Sequence, residues 1–202
     1  DLRGFSTAAS RLRPEQVLHI VNNYLEVMTD VIFEYGGTID EVLGDGLLVL
    51  FGAPLSKEDD ANRAVACALA MQAAMTRVNA RNRGMGLPEL EMGIGIHTGE
   101  AVVGNIGSDK RAKYGVVGTV VNLAARIEAL STGGQVLISG ATRDALSVEL
   151  VSTTERSFEP KGASAPMTVV QVRSIGRPYD LALPAEDRVV HEVEGFAVDY
   201  TV

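Results

Sequence analysis

The stretch Gly36-Gly37-Thr38-Ile39-Asp40-Glu41-Val42-Leu43-Gly44-Asp45-Gly46-Leu47-Leu48-Val49-Leu50-Phe51-Gly52-Ala53-Pro54 decides the class of fold. Thr38 to Val42 and Leu47 to Phe51 are short apolar or alternating runs. Gly44-Asp45-Gly46 between them carries turn chemistry, so the stretch predicts an antiparallel hairpin with a carboxylate at its tip. Upstream, from Pro14 to Tyr35, Val17, Ile20, Val21, Tyr24, Leu25, Met28, Val31, Ile32 and Tyr35 recur at helical spacing. Pro14 opens that helix and Gly36-Gly37 closes it. Downstream, Glu58 to Arg83 gives a long Ala- and Met-rich helical pattern that stops at Gly84, Gly86 and Pro88.

Beyond it, Glu91 to His97 and Glu100 to Ile106 are expected to pair through Thr98-Gly99, with Tyr114 to Val117 as a further strand. Thr119 to Leu130 reads as a helix capped by Thr119. Gln135 to Ser139 then reads as a strand and Ala141 to Leu146 as a short helix. Strands Glu149 to Thr154 and Thr168 to Arg173 flank a loop holding Pro160, Lys161, Gly162 and Pro166. Helices alternating with hairpins indicate an α+β domain, an antiparallel sheet with helices packed on one face, over residues 1–173. Residues 174–202 read as a tail or accessory segment.

The chain has 202 residues, 18 basic and 26 acidic side chains, a net charge of −8 and 46% hydrophobic residues. Such a length buries a core without disulfides or a structural metal. The single Cys67 in an Ala-rich helical pattern agrees and favours a reducing, cytoplasmic setting. Net acidity without clustered Lys or Arg argues against nucleic-acid binding and against contact with an anionic membrane. No apolar run approaches the roughly 20 residues of a membrane span. The chain opens on Asp1 without an initiator Met or a secretory signal, and reads as a fragment.

Few residues carry chemistry. Asp1 precedes Leu2-Arg3-Gly4-Phe5-Ser6-Thr7, read as a small-residue stretch with free amides, and Asp45 sits at the hairpin tip. Each alone reads as a solvated turn residue rather than a ligand. Brought together, they and the amides suit a hydrated magnesium ion and a polyphosphate. Asn122 and Arg126, four apart, share a helix face. Asn122 lies between Val121 and Leu123, where an amide needs a partner or ligand. The alternative is Asn122 bonded to a neighbouring loop and Arg126 paired with Glu128 or another acid. His97 reads as a structural residue at a strand end rather than a general base.

In this order, DLRGFS from Asp1, GGTIDEVLGDGLLVLFGAP from Gly36, MGIGIHTGEAVVGNIG from Met92, KYGVVGTVVNLAARIE from Lys113 and PKGASAPM from Pro160 resemble class III nucleotidyl cyclase catalytic domains. The resemblance covers Asp1 to about Arg173. It implies ferredoxin-like α+β domains in a head-to-tail homodimer, with composite sites that turn a purine nucleoside triphosphate into its 3′,5′-cyclic monophosphate. Asp1 and Asp45 match the aspartates that hold two divalent cations, Mg2+ or Mn2+, and Leu2 would add a carbonyl. The amides of Gly4, Phe5, Ser6 and Thr7 would cradle the β- and γ-phosphates. Asn122 matches the asparagine that orients the ribose, Arg126 the arginine at the transferring phosphoryl group, and Lys161 the lysine at the terminal phosphates.

Glu41 stands where similar adenylyl cyclases carry a lysine, three residues before the glycine-aspartate pair. A carboxylate only accepts hydrogen bonds, so it suits the N1 and N2 hydrogens of guanine and opposes the bare N1 of adenine. The second base-reading position is Gly115, which offers no side-chain donor to guanine O6. The pairing resembles bacterial, cyanobacterial-type guanylyl cyclases, so GTP is the expected substrate. The alternatives are an adenylyl cyclase and a catalytically silent nucleotide-binding dimerisation module. The resemblance also implies a first core strand ahead of Asp1 and an upstream regulatory domain.

Overall fold

The computed structural model describes residues 1–108, 110–159 and 166–184. Its elements are β1 (Leu2–Arg3), α1 (Phe5–Ala9), α2 (Pro14–Glu34), β2 (Thr38–Leu43), β3 (Gly46–Leu50), α3 (Asp60–Gly84), β4 (Glu91–Met92) and β5 (Ile94–Ile96). They continue with β6 (Val102–Ser108), β7 (Arg111–Val117), α4 (Thr119–Ala129), β8 (Val136–Ser139), α5 (Gly140–Asp144), β9 (Leu150–Phe158), β10 (Met167–Ile175) and β11 (Leu181–Ala182).

Helix α2 forms as its periodicity predicts, burying Ile20, Tyr24, Val27, Met28, Val31 and Ile32 on one face. Pro14 sits in its first turn, and the Gln16 side chain accepts the Arg13 N–H at 3.1 Å. Gly36 and Gly37 end it by returning their N–H groups to Phe33 and Ile32 at 3.0 and 2.9 Å. Helix α3 lies against α2 and contributes Cys67, Met71, Met75 and Val78 to a shared core with Tyr24 and Met28. Arg63 fastens its first turn: it pairs with Asp59 at 2.9 Å and with Asp60, and donates to the carbonyls of Tyr35 and Gly36. Further along α3, the Gln72 amide donates to the carbonyls of Met92 and Gln135 at 2.8 and 3.0 Å.

The main sheet is built on β10, whose consecutive central residues Val169, Val170, Gln171 and Val172 are all buried, as in a strand covered on both faces. β9 lies along one edge; β8 and then β11 pair along the other, all antiparallel. β5 extends the sheet beyond β8 in parallel register, Ile94 opposite Val136 and Ile96 opposite Ile138. Val136 and Ile138 pack toward Val65 and Leu69 of α3, whereas Leu137 and Val169 pack toward Ile127 of α4. The α+β class therefore holds, but the helices do not lie on one face as expected: α3 covers one face and α4 the other, because strands buried on both sides need cover on both.

Four local expectations are corrected. Glu91 to Ile106 is not one hairpin: β4 pairs with β1, β5 pairs with β8, and β6 pairs with β7. A parallel partner requires a long crossover, which α4 supplies. Leu2–Arg3 is a paired strand rather than part of a loop, and the stretch from Phe5 is helical. Thr119 is the first helical residue of α4; Gly118 occupies the cap position, without a side-chain bond. The segment from Ser174 to Pro184 belongs to the sheet, with β11 on β10 and Tyr179, Leu181 and Leu183 packed against the core. The rest of the expected tail, residues 185–202, lies outside the described residues.

Candidate active site

The β2–β3 hairpin forms as its sequence predicts. Leu43 faces Gly46 across a two-residue turn, and Gly44, at φ +66°, supplies the left-handed conformation that a first central turn residue requires. That turn carries Asp45 toward the start of the chain. Gly46 is buried against Asp1; a Cβ there would lie 2.9 Å from Asp1 Oδ1. Burial, and after it the charge of Asp45, raises the Tyr24 phenol pKa. Asp1 is held by its backbone, which exchanges hydrogen bonds with Gly93 at 3.0 and 2.9 Å. The fold therefore brings Asp1 and Asp45, 44 positions apart, to one place.

Arg3 lies beside them, 3.7 Å from Asp1 and paired with Glu128, and it donates to the Glu128 carbonyl and to Ser131 Oγ. It crosses Gly93, where a Cβ would collide with its guanidinium. Glu128 is thus committed to Arg3. Among the described residues no group of three or more His, Cys, Asp or Glu side chains could hold a metal ion. Two carboxylates form a hard, oxygen-only donor set of the kind that binds magnesium or manganese when phosphate and water complete the shell. Those residues fit such a cation. The N–H groups of Phe5, Ser6 and Thr7, after Gly4, open α1 and have no intrahelical acceptor; the first intrahelical bond runs from Ala8 to Gly4. The Leu2 side chain is buried in the core.

Asn122 and Arg126 occupy another side of α4. Ala124 and Glu128 line the same cavity as Asp1. Two residues along a helix is a turn of about 200°, so the stripe carrying Asn122 and Arg126 faces nearly the opposite way. Asn122 is exposed, so the burial argument made for it from sequence does not hold. Lys161 lies outside the described residues.

Gly115 is approached by Asp40 rather than by Glu41, and both carboxylates are tied to the same strand by a residue that the sequence reading missed, Lys113. The β2–β3 register shifts between Ile39 and Glu41, leaving Asp40 as the extra residue of a bulge. A bulge turns consecutive side chains out of strict alternation. Asp40 and Glu41 both face β7: Glu41 pairs with Lys113 Nζ at 3.1 Å, and Asp40 Oδ2 lies 4.0 Å from the same nitrogen. Only 6% of the Asp40 side chain is exposed, and its Oδ1 has no hydrogen-bond partner. That oxygen would lie 3.4 Å from a Cβ at Gly115. Two adjacent acids at 40 and 41 and a base at 113 were visible in the sequence, but the bulge that gathers them was not.

His97 has the structural role read for it. Its Nδ1 lies 2.9 Å from Ser139 Oγ, which also caps α5 through the Thr142 N–H, and burial lowers the His97 pKa. Cys67 is buried in the core, and burial, then the charge of Glu34, pushes its thiol up to about 12, far from reactive.

Residues 1–173 match the family described as the adenylate and guanylate cyclase catalytic domain. The chain belongs to that family. The crystal structure of the guanylyl cyclase Cya2 superposes with a TM-score of 0.89 at 53% identity, covering 91% of this chain and 93% of that one. The adenylyl cyclase CyaB from P. aeruginosa superposes with a TM-score of 0.81 at 36% identity, covering 90% and 93%. Adenylate cyclase 1 of Rhizobium meliloti is 32% identical over 183 residues, which are 88% of this chain and 27% of that protein. The chain thus spans about a quarter of that relative. No helix among the described residues is long and apolar enough to cross a membrane.

Proposed function

We propose that this chain is a guanylyl cyclase catalytic domain, converting GTP to 3′,5′-cyclic GMP and pyrophosphate in a homodimer. The observation that carries the base choice is Glu41, whose carboxylate faces β7 and pairs there with Lys113. An acceptor there suits the N1 and N2 hydrogens of guanine and repels the N1 lone pair of adenine. The 53% identity with guanylyl cyclase Cya2 supports the same choice.

Asp1 and Asp45, with the Leu2 carbonyl, would hold two Mg2+ or Mn2+ ions. When bound, such ions lower the pKa of the ribose 3′-hydroxyl and neutralise the triphosphate and departing pyrophosphate. The amides from Gly4 to Thr7 would receive the β- and γ-phosphates, joined by Lys161. Asn122 would orient the ribose, and Arg126 would stabilise charge that grows at the α-phosphoryl group in the transition state. Because Asn122 and Arg126 face away from Asp1, one chain offers two incomplete halves, and a second copy placed head to tail completes both. The domain is read as the cytoplasmic output of a longer regulated protein, in keeping with the share of Adenylate cyclase 1 that it spans.

The test is to measure cyclic nucleotide formed from GTP and from ATP side by side, with Mg2+ and with Mn2+. A higher kcat/KM for GTP is expected. Dominant cyclic AMP would instead establish an adenylyl cyclase, the activity named for CyaB and Adenylate cyclase 1. No product from either would leave a nucleotide-binding dimerisation module.

A further inference from the structure

Arg3 stands between two parts of the site. On one side is Asp1, whose Oδ2 lies 3.7 Å from Arg3 Nη1. On the other is the end of α4, where Arg3 Nη2 donates to the Glu128 carboxylate, to the Glu128 carbonyl at 2.7 Å and to Ser131 Oγ at 2.6 Å. A cation is favoured at that end of a helix. Arg3 Nε is buried and has no hydrogen-bond partner, so the contacts with α4 are what hold the guanidinium in place. Only 24% of the Arg3 side chain and 25% of the Glu128 side chain are exposed, so the pair is screened less than one on the surface. Two glycines make the crossing possible. A Cβ at Gly93 would collide with the guanidinium, and one at Gly95 would strike the Glu128 backbone.

We propose that Arg3 is a positioning residue for both active sites of the dimer: its charge restrains cation binding at Asp1 in one, and its brace on α4 holds Arg126 in place for the other. The inference rests on the composite-site reading and goes beyond it. A guanidinium beside Asp1 competes with a metal ion for that carboxylate, and Glu128 draws it only part of the way off. Removing the positive charge leaves the negative charges of Asp1, Asp45 and Glu128 uncompensated by Arg3, so a divalent cation should bind more tightly. Arg126 lies two residues before Glu128 on α4 and faces nearly the opposite way. Freeing the Glu128 end of the helix therefore displaces Arg126. The loss falls on the site completed with the second copy, not on the site that holds the same chain's Asp1.

The experiment uses Arg3→Met, which removes charge and brace, and Arg3→Lys, which keeps the charge but cannot make the forked contacts. Mn2+ bound by each full chain, without nucleotide, is counted by electron paramagnetic resonance. Arg3→Met should bind Mn2+ about fivefold more tightly, and Arg3→Lys as the parent does. Each substitution is then placed in one chain at a time of dimers mixed from Asp45→Ala and Arg126→Ala chains. The single intact site of such a dimer takes Asp1 from the Arg126→Ala chain and Arg126 from the Asp45→Ala chain. In the Arg126→Ala chain, Arg3→Met should lower the Mg2+ concentration for half-maximal cyclic GMP formation about fivefold and spare kcat. In the Asp45→Ala chain, either substitution should lower kcat about tenfold and leave the Mg2+ dependence unchanged. A purely structural role predicts weaker Mn2+ binding and the same loss from whichever chain carries the substitution, and that result overturns the proposal. So does an unaltered kcat when the Asp45→Ala chain carries Arg3→Lys, an arm that decides the matter even where Arg3→Met does not fold. Failure of the composite-site reading is distinguishable, because mixed dimers with Arg3 intact then recover no activity.

Discussion

Replacing Gly46 by Ala should disable the site while sparing the fold. A Cβ at residue 46 would stand 2.9 Å from Asp1 Oδ1 and 3.8 Å from Asp1 Cβ, whereas ordinary contact begins near 3.4 Å. The carboxylate must therefore retreat by about 0.5 Å. Gly46 does not have a positive φ, so alanine meets no backbone strain there. The crowded atom is the end of a short side chain that can rotate, at about 0.5 to 1.5 kcal/mol. Thermal unfolding should thus shift by only a few degrees. Activity should respond far more strongly, because catalytic groups tolerate little displacement: a 1 Å error costs about a hundredfold. About a tenfold fall in kcat is expected, with a higher concentration of Mg2+ needed for half-maximal rate. Cyclase rate titrated against Mg2+, alongside a melting curve, measures both. Unchanged rate and metal dependence in a folded Gly46→Ala protein would refute the placement of Asp1 as a metal ligand beneath the hairpin tip.

Glu41→Lys should cut kcat/KM for GTP by about ten- to a hundredfold and raise the ATP share of product, read by chromatography of both cyclic nucleotides; a constant product ratio would remove Glu41 from base choice. Mixing equal amounts of inactive Asp45→Ala and Arg126→Ala chains should restore about a quarter of parental activity, since half the dimers are mixed and each holds one intact site. No recovery after proven subunit exchange would contradict a composite site. Gly95→Ala should destabilise by about 1 to 3 kcal/mol or more in urea unfolding, because the new Cβ would strike the backbone of Glu128 where α4 crosses β5. Burial lowers the His97 pKa below its ordinary 6.5, so the unfolded chain binds the extra proton; stability present above 6.5 should fall as the pH drops below it. His97→Gln should flatten that part of a urea-midpoint profile against pH.

Local structure was legible where local chemistry decides it. The i, i+3, i+4 spacing of α2 and the Pro and Gly at its ends left little choice of conformation, and Gly44-Asp45 specified a tight turn between two short apolar runs. Pairing was less legible. Alternation in Glu91 to Ile106 marks strands but says nothing of partners, and Thr98-Gly99 imitated a turn. The strand at Ile94–Ile96 instead joins Val136–Ser139 through a helical crossover, in a contact that forms only when Gly95 lets α4 approach. Ser174 to Pro184 looked like a linker because Pro178 and Pro184 break its pattern, yet Leu181 and Leu183 find apolar partners at the sheet edge.

The order of residues by itself determined the helices, the tight turn, the carboxylate at its tip and the likeness to nucleotidyl cyclases, because each depends on neighbours a few positions apart. Only the tertiary structure decided that Asp1 lies under Gly46, that Asn122 and Arg126 face away from it, and that a bulge at Asp40 gathers two carboxylates around Lys113. Those relations depend on strand register and on the direction a helix face points. Contacts between residues far apart in the chain set both, and no local pattern encodes them.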